Sequence, residues 1–289
     1  MLRGLYTAAS GMMAQQRRHD TVTNNIANLN TPGFKAMNQA TRAFPDMLVS
    51  AMGGDNMRSK PIGRLTLGAF AEENMMSMIQ GDLMLTNRPQ DLALMADLLV
   101  DGAVFDASGK YVDENGNVTF QPQAFFTVQG PDGQQHYTRN GSFRTAEDGT
   151  LLTAEGYAVL GVNGQPIQVN ISWDQVYVDE AGVLYDRALG EQLPGNPQLL
   201  ITVVNNPNDL VRHGSGTFQY MGDPAGIRQM AEGDRIQVQQ GYLERSNVDP
   251  GQSMVDLMAA MRLYEANQRM IQTIDTSLGK AVNEIGKIG

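Results

Sequence analysis

The 289 residues include no cysteine. Disulfides, thiolate metal sites and cysteine nucleophiles are thereby excluded. The absence fits an exported protein exposed to oxidants, and equally the many cytosolic proteins that manage without the residue. Histidine is scarce: His19, His136 and His213 are far apart in sequence, with no metal-ligand spacing between any two. Trp173 is the sole tryptophan, which argues against a sugar-binding platform of several aromatic faces. No run approaches the eighteen or more apolar residues of a membrane helix, so a soluble chain without membrane insertion is expected. A phosphate-cradling glycine loop with its lysine is also missing.

The remaining chemical motifs reduce to turns. "HGSG" at 213–216 has no G-x-S-x-G elbow beside it and reads as turn glycines next to a satisfied histidine. "DENGNVT", Asp113 to Thr119, places oxygen ligands at alternate positions, but Ala124 stands where a calcium loop needs glutamate, so a hairpin turn is expected. Carboxylate pairs such as Asp179-Glu180 decorate turns of an acidic domain. No catalytic residue, metal ligand or cofactor is assigned, and the chain reads as a non-enzyme.

Charge is unevenly spread. Residues 1–42 carry five basic side chains against Asp20 alone, whereas residues 81–235 hold 20 acids against 8 bases. The acidic middle suits a solvated, self-repelling surface, and the basic groove that nucleic acid demands is not visible.

The ends read as helices. "MLRGLYTAASGMMAQQRR" lacks the unbroken apolar core of roughly seven to fifteen residues found in secretory signals. Leu2, Leu5, Ala9 and Met12 instead follow a 3-4 spacing, as in an amphipathic helix of the mature chain. At the far end Met254, Leu257, Met261, Tyr264, Gln268, Ile271, Asp275, Leu278, Val282 and Ile285 alternate steps of three and four, a heptad seam with two polar exceptions. Asp249-Pro250-Gly251 marks its entry. "TNNIANLNTPGFK", residues 23–35, keeps an apolar stripe through Val22, Ile26 and Leu29 while crowding in asparagines, which are mediocre helix formers. Two readings stay open: a fraying helix end, or a face whose amides pair with another chain.

Between the helices, turn dipeptides recur at Ser108-Gly109, Asn115-Gly116, Asp132-Gly133, Asn140-Gly141, Asp148-Gly149, Glu155-Gly156 and Asn163-Gly164. They separate short β-prone pieces such as "AFFTVQ", "QHYTR", "TLLT", "YAVLG", "PIQV", "QVYVD", "VLYD" and "LLITVV". The expected fold class is α+β: long N- and C-terminal helices forming a coiled-coil-like domain, with a central, mainly antiparallel β domain shaped as a sandwich or barrel. Residues 1–35 and 240–289 are expected to form the helical domain, 36–80 an extended connector containing Gly53-Gly54, and 81–239 the β domain.

"LYTAASGMMAQQRRHDTVTNNIANLNTPGFK" resembles the N-terminal signature of the bacterial flagellar rod and hook axial proteins. "GYLERSNVDPGQSMVDLMAAMRLYEANQRMIQTID" is similar to the same family's closing helix. "FFTVQGPDGQQHYTRNGSFRTAEDGTLLTAEGYAVLGVNGQPIQV" resembles the β domain of its rod members, the distal rod protein above all. One departure is the segment between "DLAL" at 91–94 and "AFF" at 124–126, which looks like an insertion near 97–123 projecting from the β domain.

The resemblance implies a structural subunit of the flagellar basal-body rod, polymerising into a helical tube that transmits torque to the hook. A hook or hook-junction subunit is the alternative within the family, and a glycan-binding or peptidoglycan-cleaving protein the alternative outside it. It implies self-association, contacts with other rod and hook proteins, and passage through the flagellar export apparatus to the basal body without a cleaved signal. The β domain would be the outer layer of the tube. The terminal helices would be its polymerisation domain and inner layer, with Leu5, Met12, Asn24, Asn25, Asn28, Met254, Leu257, Met261, Tyr264, Ile271 and Leu278 at the polymer interface. In such an array an amide can donate to one chain and accept from the next. Thr31, Pro32, Gly33, Phe34 and Lys35 would then end the helix and turn the chain toward the β domain.

Overall fold

The computed structural model describes residues 2–50, 61–98, 104–106, 109–195, 197–214, 216–231 and 233–285. Gly53-Gly54, Ser108, Ser215 and part of the segment 97–123 lie outside them, as do the side chains of Leu2 and Ile285. The chain divides into two compact units.

The helical unit comprises Met1–Ala27, Met37–Met75 and Asp249–Gly289. Helix α1 spans Leu2–Ala27 and helix α2 spans Pro250–Lys280. Asp249 caps α2 by accepting a hydrogen bond from the Gln252 backbone N–H at 2.9 Å, and Pro250 occupies the first turn, where its missing N–H costs nothing. The helices pair antiparallel. A Cβ on Gly4 would lie 3.2 Å from Ile274, one on Gly11 3.1 Å from Asn267, and Arg18 bonds Asp256 at 2.8 Å. Small residues at the crossing let the two backbones approach.

The segment read as an extended connector pairs with itself. Met37–Ala43 is laddered to Ala69–Met76, and Met47–Ser50 to Pro61–Leu65, giving a two-stranded ribbon. It rests on α1, where Ser10 Oγ accepts from the Ala69 N–H at 3.4 Å and Thr21 Oγ1 donates to Asn74 at 3.3 Å. Sparse apolar residues hid the pairing, because the ribbon borrows its packing from the helix.

The β unit comprises Asn28–Ala36 and Met76–Val248. Every ladder in it is antiparallel. Its centre is Gln123–Gln129, which pairs with Gln135–Thr138, Ala158–Val159 and Ile201–Val204 in a branched nine-stranded sheet. The apolar core includes Leu92, Phe126, Phe143, Val176, Leu184 and Val203, with Trp173 donating from Nε1 to Thr145 Oγ1. A smaller cluster gathers Phe125, Tyr137, Val204, Leu210 and Phe218.

Most of the expected strands are present, though "PIQV" makes only isolated bridges. "DENGNVT" forms the turn between the strands Lys110–Val112 and Val118–Phe120. There Asp113 accepts from the backbones of Asn115 and Asn117 and from the Asn117 amide. The Asn117 bonds foremost hold its carboxyl below the usual range. Asn140-Gly141 is not a hairpin turn. Gly141 accepts from the Leu92 N–H at 3.0 Å, and a Cβ there would overlap the Leu92 carbonyl oxygen. The glycine serves close backbone approach rather than a left-handed turn.

Candidate functional site

The residues singled out on the helices divide into two sets. On α2 the column facing α1 includes Ser253, Ala260, Asn267 and Ile274, with Ala260 fully buried. Leu257, Tyr264, Ile271 and Leu278 flank this column and are half-buried. Met254 and Met261 are 57% and 48% exposed, and with Val255 at 55% and Met258 at 52% they make a continuous apolar strip on the other flank. Of the expected seam, Leu257, Tyr264, Ile271 and Leu278 thus border the contact with α1, whereas Met254 and Met261 stand exposed beside the buried Ser253 and Ala260. Periodicity could not separate Ala260 from Met261, since both are apolar. Packing separates them: the small residue goes where backbones approach.

On α1, Leu5 and Met12 are half-buried, while Ala8 and Ala14 are buried. Asn24 is exposed and Asn28 half-buried, with its side-chain oxygen accepting from Thr31 Oγ1 at 3.1 Å. Asn25 is buried, and both ends of its amide are spent on one residue of the same chain. Its Nδ2 donates to the Met37 carbonyl at 2.8 Å, and its Oδ1 accepts from the Met37 N–H at 2.9 Å. This amide staples α1 to the start of the ribbon and needs no second chain for its satisfaction.

The signature Thr31 to Lys35 is a plug in the β unit. Thr31 N–H bonds the Asn28 carbonyl, and Gly33 adopts φ +68°, which favours glycine. Its N–H donates to the Glu244 carbonyl at 2.8 Å. Phe34 is buried beneath the Arg212 guanidinium, 4.3 Å from the ring centroid, and Arg212 Nη2 donates to the Lys35 carbonyl at 2.8 Å. Asn247 closes the other side: its Oδ1 accepts from the Ala36 N–H, and its Nδ2 donates to the carbonyls of Ser77 and Ile79.

Within this plug lies a buried charge cluster. Lys35 Nζ sits 2.7 Å from Glu244 Oε1 and 2.8 Å from the Ile79 carbonyl, and Arg139 Nε sits 3.2 Å from Glu244 Oε2. All three side chains are 1% exposed. Burial foremost, then the Arg139 charge, pushes the Lys35 ammonium down to about 8 despite Glu244. Burial alone would raise the Glu244 carboxyl, but Arg139 and then Lys35 hold it below the ordinary range.

An unfolded lysine near 10.5 holds its proton between pH 8 and 10.5, where folded Lys35 has released it. Stability attributable to Lys35 therefore grows as pH rises through that window. Denaturant midpoints from pH 8 to 9.5 should rise for the wild-type chain relative to Lys35→Met, which has no such proton. Parallel profiles would contradict the assignment.

Sequence reasoning singled out Lys35 but not Glu244, Arg139, Arg212 or Asn247. The available signal was a lysine directly after a Pro-Gly-Phe turn, which once buried demands a counter-charge from elsewhere in the chain. Nothing local names the partner 209 positions away.

Comparison with known proteins gives three family matches. Residues 5–35 match the flagella basal body rod protein family, 119–185 the flagellar hook protein FlgE/F/G D1 domain, and 239–284 the flagellar basal body rod FlgEFG protein C-terminal region. The chain is 33% identical over 292 residues to the flagellar hook-basal body complex protein FlhO of Bacillus subtilis (strain 168), with both chains covered in full. It is 30% identical to the flagellar basal-body rod protein FlgG of Borreliella burgdorferi, over 98% of each chain. Identity to the flagellar basal-body rod protein FlgF of Salmonella typhimurium is 27%, over 97% of each. The plug contains the end of the first matched segment, and Glu244 and Asn247, which hold it, lie within the last.

Proposed function

Because this chain belongs to the flagellar basal-body rod and hook protein family and is a structural subunit of that kind, we propose that it polymerises through its terminal helices into a helical tube that transmits torque to the hook. The observation that carries this reading is the exposed strip Met254, Val255, Met258 and Met261 on α2. On α1, Tyr6 and Met13, seven residues apart, are 69% and 59% exposed. Apolar faces of this width are left for a partner helix. Each side chain fully buried contributes about 1.5–3 kcal/mol before ordering costs.

The occupant is a second copy of the chain, with other rod and hook proteins at the ends of the stack. The α1–α2 pair supplies the coiled-coil-like inner layer and the β unit the outer one. Leu5, Met12, Asn24 and Asn28 complete the interface at partly accessible positions, together with the rims of Leu257, Tyr264, Ile271 and Leu278. The departure near 97–123 is read as an excursion whose described part includes the hairpin Lys110–Val112 and Val118–Phe120, with buried Leu98 before it and central-strand Gln123 after it. The chain reaches the basal body through the flagellar export apparatus without a cleaved signal. A structural rather than catalytic role is read from that family membership; no described helix is long and apolar enough to cross a membrane.

The double variant Met258→Asp, Met261→Asp separates assembly from folding. Both positions are about half exposed, so circular dichroism and melting of the free chain should be unchanged. Incorporation into basal bodies and swimming should both be lost. Normal swimming would refute the strip as a polymer contact.

A further inference from the structure

Two cations in the plug depend on one carboxylate. Among the described residues, Glu244 is the only acid within ion-pair distance of either Lys35 or Arg139. Asp91, also buried, ion-pairs with neither. A third cation, Arg212, lies directly on the Lys35 carbonyl and offers no relief. Arg139 is otherwise placed 5.8 Å from the Phe125 ring centroid. Glu244 Oε1 also accepts from the Gly81 N–H at 3.0 Å, so one carboxylate holds the segments around Lys35, Arg139 and Gly81 together. In sequence, residues 28–36 follow α1 directly and residues 245–248 run directly into α2.

We propose that Glu244 is an acid-released latch, whose protonation unfastens residues 28–36 and 245–248 from the β unit while the main apolar core of that unit stays folded. Protonation removes the only counter-charge of Lys35 and Arg139 and leaves two buried like charges beside Arg212. None of the latch residues belongs to the main core cluster, so the cost falls outside it. Opening lets both ammonium and guanidinium reach water, which the folded plug denies them. Glu244 is ionised in the closed state and its carboxyl lies below the ordinary range, so the latch holds at neutral pH and opens on the acid side.

Hydrogen exchange of the full-length chain between pH 7 and pH 3, corrected for intrinsic rates, tests this. Peptides covering 28–36 and 241–248 are compared with those covering 123–129 and 201–204, while Trp173 fluorescence reports the core. The latch peptides should lose protection at a higher pH than that at which the core peptides or Trp173 respond. Glu244→Gln should leave them unprotected already at pH 7 with native Trp173 fluorescence. The neutral variant Lys35→Met, Arg139→Met, Glu244→Gln should keep them protected across the range. Loss of protection in the wild-type chain only together with the core would overturn the proposal. So would full protection of Glu244→Gln at pH 7, or simultaneous loss of latch and core in that variant.

Discussion

Glu244→Ala should lower the stability of the β unit by about 3–5 kcal/mol at pH 7, the usual cost of removing one partner from a buried ion pair. The magnitude comes from what is left behind rather than from the lost attraction. Lys35 and Arg139, 1% exposed in the closed plug, must either stay buried with no carboxylate in reach or break the plug open to reach water, and the Gly81 N–H loses its acceptor. Denaturant midpoints read by Trp173 fluorescence and by circular dichroism measure the change. Replacing all three charges by apolar side chains of similar volume should cost far less, because a buried ion cluster returns little beyond its own desolvation. If Glu244→Ala loses under about 1 kcal/mol, the cluster is solvated and the plug is not sealed.

Gly33→Ala should be nearly as damaging, by about 2–5 kcal/mol, and for an unrelated reason. A left-handed conformation costs an L-residue roughly 1–2 kcal/mol, and Gly33 holds φ +68°. The added Cβ would also lie 2.5 Å from the Arg139 carbonyl carbon and 2.6 Å from the Asn140 nitrogen. Those are backbone atoms directly after the strand Gln135–Thr138 and cannot swing aside as a side chain would, so overpacking adds about 1–3 kcal/mol. Gly164 is the control. It has φ +74° and nothing within 4 Å of where a Cβ would stand, so Gly164→Ala should lose only the conformational part. Equal losses at both glycines, measured by thermal melting, would show that the Gly33 contact relaxes freely.

The amino-acid sequence by itself determined the element types and the family. Local causes suffice for those: a 3-4 apolar spacing at each end, Asp249-Pro250 at a helix start, and glycines where hairpins need left-handed turns. Gly116, Gly133, Gly149, Gly156 and Gly164 all take positive φ. The motifs "TNNIANLNTPGFK" and "GYLERSNVDPGQ" likewise carry the family signature without any knowledge of what they touch.

Only the tertiary structure decided which partner each residue meets. On α2 the column against α1 holds Ser253, Ala260, Asn267 and Ile274, while the larger apolar side chains of Met254 and Met261 stand exposed beside it, an outcome that apolar spacing does not announce. Residues 36–80 read as a connector because a ribbon supported by a helix, as at Met37–Ala43 and Ala69–Met76, needs few apolar residues of its own. Asn25 could have served another chain, yet its amide is closed on Met37. Lys35 and Glu244 are 209 positions apart and become neighbours only when both ends of the chain reach the same part of the β unit. Periodicity and turn chemistry act over a few residues, whereas burial and charge pairing are set by whatever the fold brings into contact.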